Sequence, residues 1–179
     1  MIETPLLRTD RLRLRPPRPE DAPIVSALMT PGVSQWLARW PVPFTLEMAE
    51  ARIAQSLDAM AAGRSLICVV EHRGECVGWI GGGRIADMDG GDFGYWLGEP
   101  WHGRALMQEA APAYVAALRD RLALGSIEAT CHAENRGSAR ILAACGLNRV
   151  GVRTEHVPAR NRDELLDVWQ RTWTRDAPG

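Results

Sequence analysis

The residues that stand out chemically are Gly103 and Ala105, two positions apart in Trp101-His102-Gly103-Arg104-Ala105-Leu106-Met107-Gln108-Glu109-Ala110. They follow a strand-like stretch, Asp92 to Leu97, and open a long apolar helix. Small residues at such a junction let backbone approach a ligand, and the first N–H groups of a helix have no partner of their own. With the positive end of the helix dipole, they suit a phosphate or pyrophosphate. A Gly-x-Ala helix start also serves plain packing, so the flanking chain has to decide. Gly81-Gly82-Gly83 is a weaker phosphate candidate, because no helix start follows it and a bulge or bend explains it as well. Asn135 has the type and place of a helix N-cap, and Ser138 those of a first-turn serine bonded to its own backbone.

Four cysteines (Cys68, Cys76, Cys131, Cys145) and the four histidines show no metal-ligand spacing, so no metal is expected and the thiols read as small buried hydrophobes. The 179 residues fit a single domain, 1–179, with a sizeable core. Apolar residues make up 46% and charged residues 24%, a globular balance. A net charge of -1 supplies no drive towards nucleic acid or an anionic membrane, and neither is expected as a partner. All 21 basic residues are arginine, so guanidinium carries almost every cationic contact. Met1 leads into Thr, Pro and Arg with no apolar run, and no stretch reaches membrane-spanning length, which together point to the cytoplasm.

The elements that must position these residues can be read in order. Arg11 to Arg15 alternates as a half-buried strand, and Pro19 to Met29 is a helix that Pro31-Gly32 should break. Thr45 caps a second helix that Gly63 ends. Ser65 to Glu71 and Cys76 to Ile80 form a hairpin, followed by the strand Asp92 to Leu97. The helix opened by Gly103 runs to about Leu122, with a kink expected at Pro112. Ser126 to Cys131, Leu147 to Val152 and Leu165 to Trp173 are further strands, and Asn135 to Ala144 is a helix. Hairpins and helix crossovers together predict a mixed α/β (α+β) sheet of about six to seven strands flanked by helices.

In this setting Gly94-Tyr95-Trp96-Leu97, Trp101 to Ala110, Asn135-Arg136-Gly137-Ser138-Ala139-Arg140 and Cys145-Gly146-Leu147 resemble the GNAT acyltransferases, in particular the RimJ/RimL-type branch. Thr9 to Arg15 is similar to the first strand of that branch, and the resemblance runs from about Leu7 to Trp173. It implies a sheet splayed around a CoA site, with acetyl-CoA as donor and direct transfer of the acetyl group to a primary amine. The acceptor would be a protein N-terminus or a small amine, and a homodimer is common in such families. The family's pyrophosphate loop, Q/R-x-x-G-x-G/A, falls on Pro100 to Ala105, with Pro100 in place of the leading polar residue. Arg104, Ala105, Leu106 and Met107 would then offer backbone N–H groups.

Amine acetylation needs a proton removed from the acceptor ammonium, donors for the tetrahedral oxyanion and a proton for the leaving thiolate. The resemblance implies a bulged strand that turns the amide of Trp96 or Leu97 to the thioester carbonyl. It puts a base at Asp92, which otherwise closes the Gly90-Gly91 turn. Glu134 is the second carboxylate candidate, although it also suits a helix start. His102 has a suitable pKa but lies on the loop. Many relatives use a tyrosine for the thiolate where this chain has Leu142, and Ser138 matches the serine of the RimJ/RimL-type branch. Asn135 would bond the pantetheine arm, and Arg140 would reach a CoA phosphate or stay in solvent. Trp36, Trp40 and Trp79 would line an acceptor pocket or the core, and Asp87, Asp89, Asp92 and Glu99 would form an acidic rim. The alternative in another class is an acyl-CoA-binding regulator without turnover.

Overall fold

The structure is a computed structural model and describes residues 6–174. Its strands are β1 (Leu7–Arg8), β2 (Leu12–Arg15), β3 (Ser65–His72), β4 (Glu75–Arg84), β5 (Gly90–Leu97), β6 (Ser126–Cys131), β7 (Asn148–Val157) and β8 (Arg162–Thr172). Its helices are α1 (Ala22–Leu28), α2 (Pro31–Ser34), α3 (Leu46–Ala61), α4 (Leu106–Leu122) and α5 (Arg136–Ala144). The strands form one sheet in the order β1-β2-β3-β4-β5-β6-β8-β7, antiparallel except for the β5–β6 pair. Eight strands therefore stand where six to seven were expected; the extra one is the two-residue β1 paired to β2.

The period-2 alternation of β2 to β5 gives the sheet two apolar faces. One carries Leu12, Leu14, Leu66, Cys68, Ile80 and Phe93 and packs on Leu106, Ala110, Tyr114 and Leu118 of α4. The other carries Val69, Trp79 and Trp96 and packs on α1 to α3 through Val25, Trp40, Ala49 and Ile53. The polar residue Arg15 is buried on this second side, in contact with Asp21 (2.8 Å) and Glu71 (2.9 Å). A buried charge is tolerated when paired and hydrogen-bonded in this way.

Several local expectations are corrected. Pro31-Gly32 does not simply end a helix: Thr30 caps a new one, and Pro31 takes its first position, where its missing N–H costs nothing. Gly81 to Gly83 lie in continuous strand, and the irregularity falls instead in the β3–β4 pairing at Val70/Glu71. The glycine at 82 is demanded by a close approach, since a Cβ there would lie 2.3 Å from the Asp92 carbonyl oxygen. The β7–β8 hairpin is longer than its sequence pattern indicates because most of β7 is exposed on both faces, which erases the alternation.

The sheet opens where β5 and β6 part. They pair only at Gly90↔Ser126, Gly91↔Ile127 and Asp92↔Glu128, although β5 continues to Leu97 and β6 to Cys131. Beyond that vertex the two strands leave a V-shaped gap in the sheet.

Candidate active site

The gap opens into a cleft of about 1050 Å³. Its lining includes Asp92, Tyr95, Trp96, Leu97, Gly103, Ala105, Leu106, Met107, Asn135, Ser138 and Arg140. Segments far apart in sequence are thus gathered around one space, with Asp92 at its vertex. Arg104 is the exception among the loop residues: its guanidinium stacks on Trp101, 4.9 Å from the ring centroid.

At the mouth, Gly103 (φ 72°) and Ala105 (φ 56°) both adopt left-handed backbone before α4 begins. A Cβ on Gly103 would meet nothing within 4 Å, so conformation and not crowding favours glycine there. Ala105 is the α4 N-cap and supplies no side-chain acceptor. The first N–H groups of the helix therefore point outward without a side-chain cap, at the positive end of a 17-residue dipole. The loop is braced from behind. Arg11 Nη1 donates to the Arg104 carbonyl (3.0 Å) and its Nη2 to the Ala105 carbonyl (3.4 Å). Glu109 anchors Arg11 through Nε (2.6 Å) and the backbone N–H (2.8 Å). The arginine of the alternating first strand thus has a specific task that its sequence pattern did not reveal.

Along β5, Gly98 N–H donates to the Val77 carbonyl (2.9 Å), and the Gly90 carbonyl accepts from Ile85 N–H (2.9 Å). The β4–β5 register runs unbroken between these points, so the expected bulge is absent. Regular alternation then turns the N–H of Trp96 towards β4 and those of Tyr95 and Leu97 towards the side that β6 has left. The open backbone edge comes from splaying of the pair and needs no bulge. His102 Nε2 lies 2.8 Å from the Leu97 carbonyl oxygen, which ties the loop to the end of β5.

Asp92 reaches solvent at the cleft floor while protein surrounds it on the other sides. That partial desolvation raises its carboxyl pKa, and Arg39 opposes part of the rise. The other acids lining the cleft, Glu128 and Glu155, are both bonded by Arg153 Nη2 at 2.5 Å. Among the described residues Asp92 forms no salt bridge, and backbone hydrogen bonds from Gly83 and from Asp92 itself oppose part of the rise. Glu134 does not line the cleft, and neither do Asp87, Asp89 or Glu99; Glu99 accepts from the Thr30 hydroxyl. No acidic rim is assembled.

Across the gap, Asn135 Oδ1 accepts from the Ser138 N–H (3.0 Å), the N-cap bond its type predicts. Ser138 Oγ does not turn back to its own helix. It lies 2.8 Å from Tyr95 Oη, a residue of the opposite arm of the V. Burial pushes the Tyr95 phenol up, so it stays protonated. Sequence reasoning looked for a tyrosine on the α5 helix and missed this one, because the contact depends on how far β5 and α5 stand apart. Among the described residues, no three His, Cys, Asp or Glu side chains are grouped to hold a metal ion.

Comparison with known proteins agrees with this geometry. A family described as an acetyltransferase (GNAT) domain matches residues 11–148, and the chain belongs to that family. A search of curated proteins finds no match. Among solved structures, the microcin C7 self-immunity acetyltransferase MccE, in complex with acetyl-CoA and AMP, superposes with a TM-score of 0.80 at 16% identity, covering 92% of this chain and 93% of that one. Mycobacterium smegmatis RimJ, in complex with CoA-disulfide, gives 0.80 at 22% identity over 90% and 81%. RimL, the ribosomal L7/L12 alpha-N-protein acetyltransferase, in complex with coenzyme A, gives 0.81 at 15% identity over 94% and 98%. At these identities the likeness establishes the fold. The chain is a GNAT acetyltransferase with an open mixed sheet of eight strands.

Proposed function

We propose that the protein moves an acetyl group from acetyl-CoA to a primary amine by direct transfer in the β5–β6 cleft. The observation that carries this reading is the alignment of three features on one gap. They are an uncapped helix N-terminus behind left-handed Gly103 and Ala105, an unpaired β5 edge, and an unbridged carboxylate at the vertex. Pyrophosphate would take the N–H groups of Ala105, Leu106 and Met107, with Gly103 and Arg104 shaping the turn. Pantetheine would lie along the edge that β6 has vacated, bonding the free amide of Asn135, and Arg140 would face a CoA phosphate. Acetyl-CoA and coenzyme A bound to MccE and RimL, which share this fold, support the donor.

Asp92, with its raised pKa and no salt-bridge partner among the described residues, would accept a proton from the acceptor ammonium, directly or through water. The amine nitrogen then attacks the thioester carbonyl carbon, and the oxyanion receives the Leu97 N–H, with Trp96 holding the strand beneath it. As the carbon–sulfur bond breaks, the extra proton left on the nitrogen passes to the thiolate, directly or through solvent, while Ser138 Oγ, 2.8 Å from the Tyr95 hydroxyl, hydrogen-bonds the sulfur. The likeness to RimL, named as an alpha-N-protein acetyltransferase, supports a protein N-terminus as one acceptor class beside small amines. The test is thermal stabilisation by acetyl-CoA followed by thiol release across a panel of primary amines. Release with at least one amine supports the enzyme; stabilisation with none supports the acyl-CoA-binding regulator.

A further inference from the structure

On the face of β4 and β5 that meets α3, consecutive register partners are Trp79↔Trp96, Gly81↔Gly94 and Gly83↔Asp92. Two aromatic rings, a bare glycine step and a carboxylate therefore follow one another in a trough. A Cβ on Gly94 would meet nothing within 4 Å, whereas one on Gly81 would meet Ile67 Cδ1 at 2.7 Å, so the middle of the trough is open on its β5 side. Trp40 closes the aromatic end, with ring centroids 5.6 Å from Trp79 and 5.1 Å from Trp96. Arg39 and the α3 residues Arg52 and Gln55 line the space above it.

The charge of this wall is out of balance. Arg52 lies over Trp40 at 4.5 Å and donates Nη2 to the Arg39 carbonyl at 2.7 Å. Those are neutral contacts, and among the described residues neither Arg52 nor Arg39 has a salt bridge. Partial burial and the neighbouring Arg39 both lower the Arg52 pKa. Nearby, Trp96 is 5% exposed and, among the described residues, its indole N–H has no partner. Two guanidinium groups without a carboxylate partner and an unpaired N–H therefore face this space. A purely cationic amine would be repelled by this wall on its way to Asp92.

We propose that the acceptor is an amine that also carries an anionic group, carboxylate or phosphoryl. The anion would be held by Arg52, Arg39 and the Trp96 N–H while the amine reaches Asp92 across the glycine step. This rests on acetyl transfer taking place in the cleft. It ranks polyamines and aminoglycoside-like amines as poor acceptors.

The experiment compares kcat/KM for matched acceptors at saturating acetyl-CoA: 4-aminobutyrate against butylamine, O-phosphoethanolamine against ethanolamine, and spermidine. The two anionic members separate the carboxylate source from the phosphoryl source. At least one is expected to exceed its partner without the anionic group by about tenfold or more, with the ratio falling as salt rises. Arg52→Gln and, independently, the exposed Arg39→Gln should each collapse that ratio towards one. Equal or higher kcat/KM for butylamine, ethanolamine or spermidine would overturn the inference while leaving the transferase reading intact, as would a ratio indifferent to both substitutions. Acetyl-CoA binding with no turnover on any of these acceptors also overturns it, whereas failure to bind acetyl-CoA would overturn the cleft assignment itself.

Discussion

In the proposed mechanism Asp92, Ser138 and Tyr95 carry the chemistry, and each makes a separate prediction. A carboxyl group raised by desolvation is protonated over a wider range of pH and becomes a base only above its raised pKa. The transfer rate should therefore climb with pH, and Asp92→Asn should lower it at least about a hundredfold and flatten the climb, with acetyl-CoA affinity unchanged. Ser138→Ala should reduce kcat with little effect on the KM for acetyl-CoA. Tyr95→Phe should do the same, but in the Ser138→Ala background it should cost almost nothing further, because the phenol acts through Ser138. Additive losses, read as kcat in the full double-mutant cycle, would assign Tyr95 a purely structural task.

At the scale of elements, the loop that opens α4 depends on left-handed backbone at Gly103 and on the brace from Arg11. Gly103→Val should weaken acetyl-CoA binding at least about tenfold through strain at positive φ, since the site has room for the side chain itself. Arg11→Ala should weaken it less, because the loop loses two anchors and keeps its conformation; calorimetric titration with acetyl-CoA measures both. The helix start at Leu106, the β5 strand and the Asn135 cap were legible in the sequence because each has a local cause: small residues, alternation, an N-cap side chain. The Arg11–Glu109 brace and the Tyr95–Ser138 contact join residues 98 and 43 positions apart, and no local pattern encodes them. The expected bulge failed for a related reason. A free backbone edge can arise from one strand bulging or from two strands parting, and only the β5–β6 register separates the two.

The whole molecule is held by one sheet with helices on both faces and by two charge networks. Arg15, Asp21 and Glu71 are all buried, and Asp21→Ala would leave the guanidinium short of a partner, costing about 3 kcal/mol in urea unfolding. The second network ties the β7–β8 turn to the end of α2 and the segment after it: Arg160 Nη1 donates to the carbonyls of Ser34 (3.0 Å) and Leu37 (3.1 Å), and its other nitrogens hold Glu164. Arg160 keeps the Glu164 carboxyl at about 2, below its ordinary 4.5. A depressed carboxyl stabilises the fold fully above the ordinary value and progressively less as pH falls towards the lower one. Acid unfolding should show that loss between those limits, and Glu164→Gln should shrink it.

The central claim is acetyl transfer at the vertex where β5 and β6 part. Its most direct measurement is thiol release from saturating acetyl-CoA with an accepted amine, compared for the wild type and Asp92→Asn as pH is raised. The account predicts a wild-type rate that rises with pH and a variant that binds acetyl-CoA normally but is slow at every pH. A variant with the wild-type rate and pH profile would contradict it.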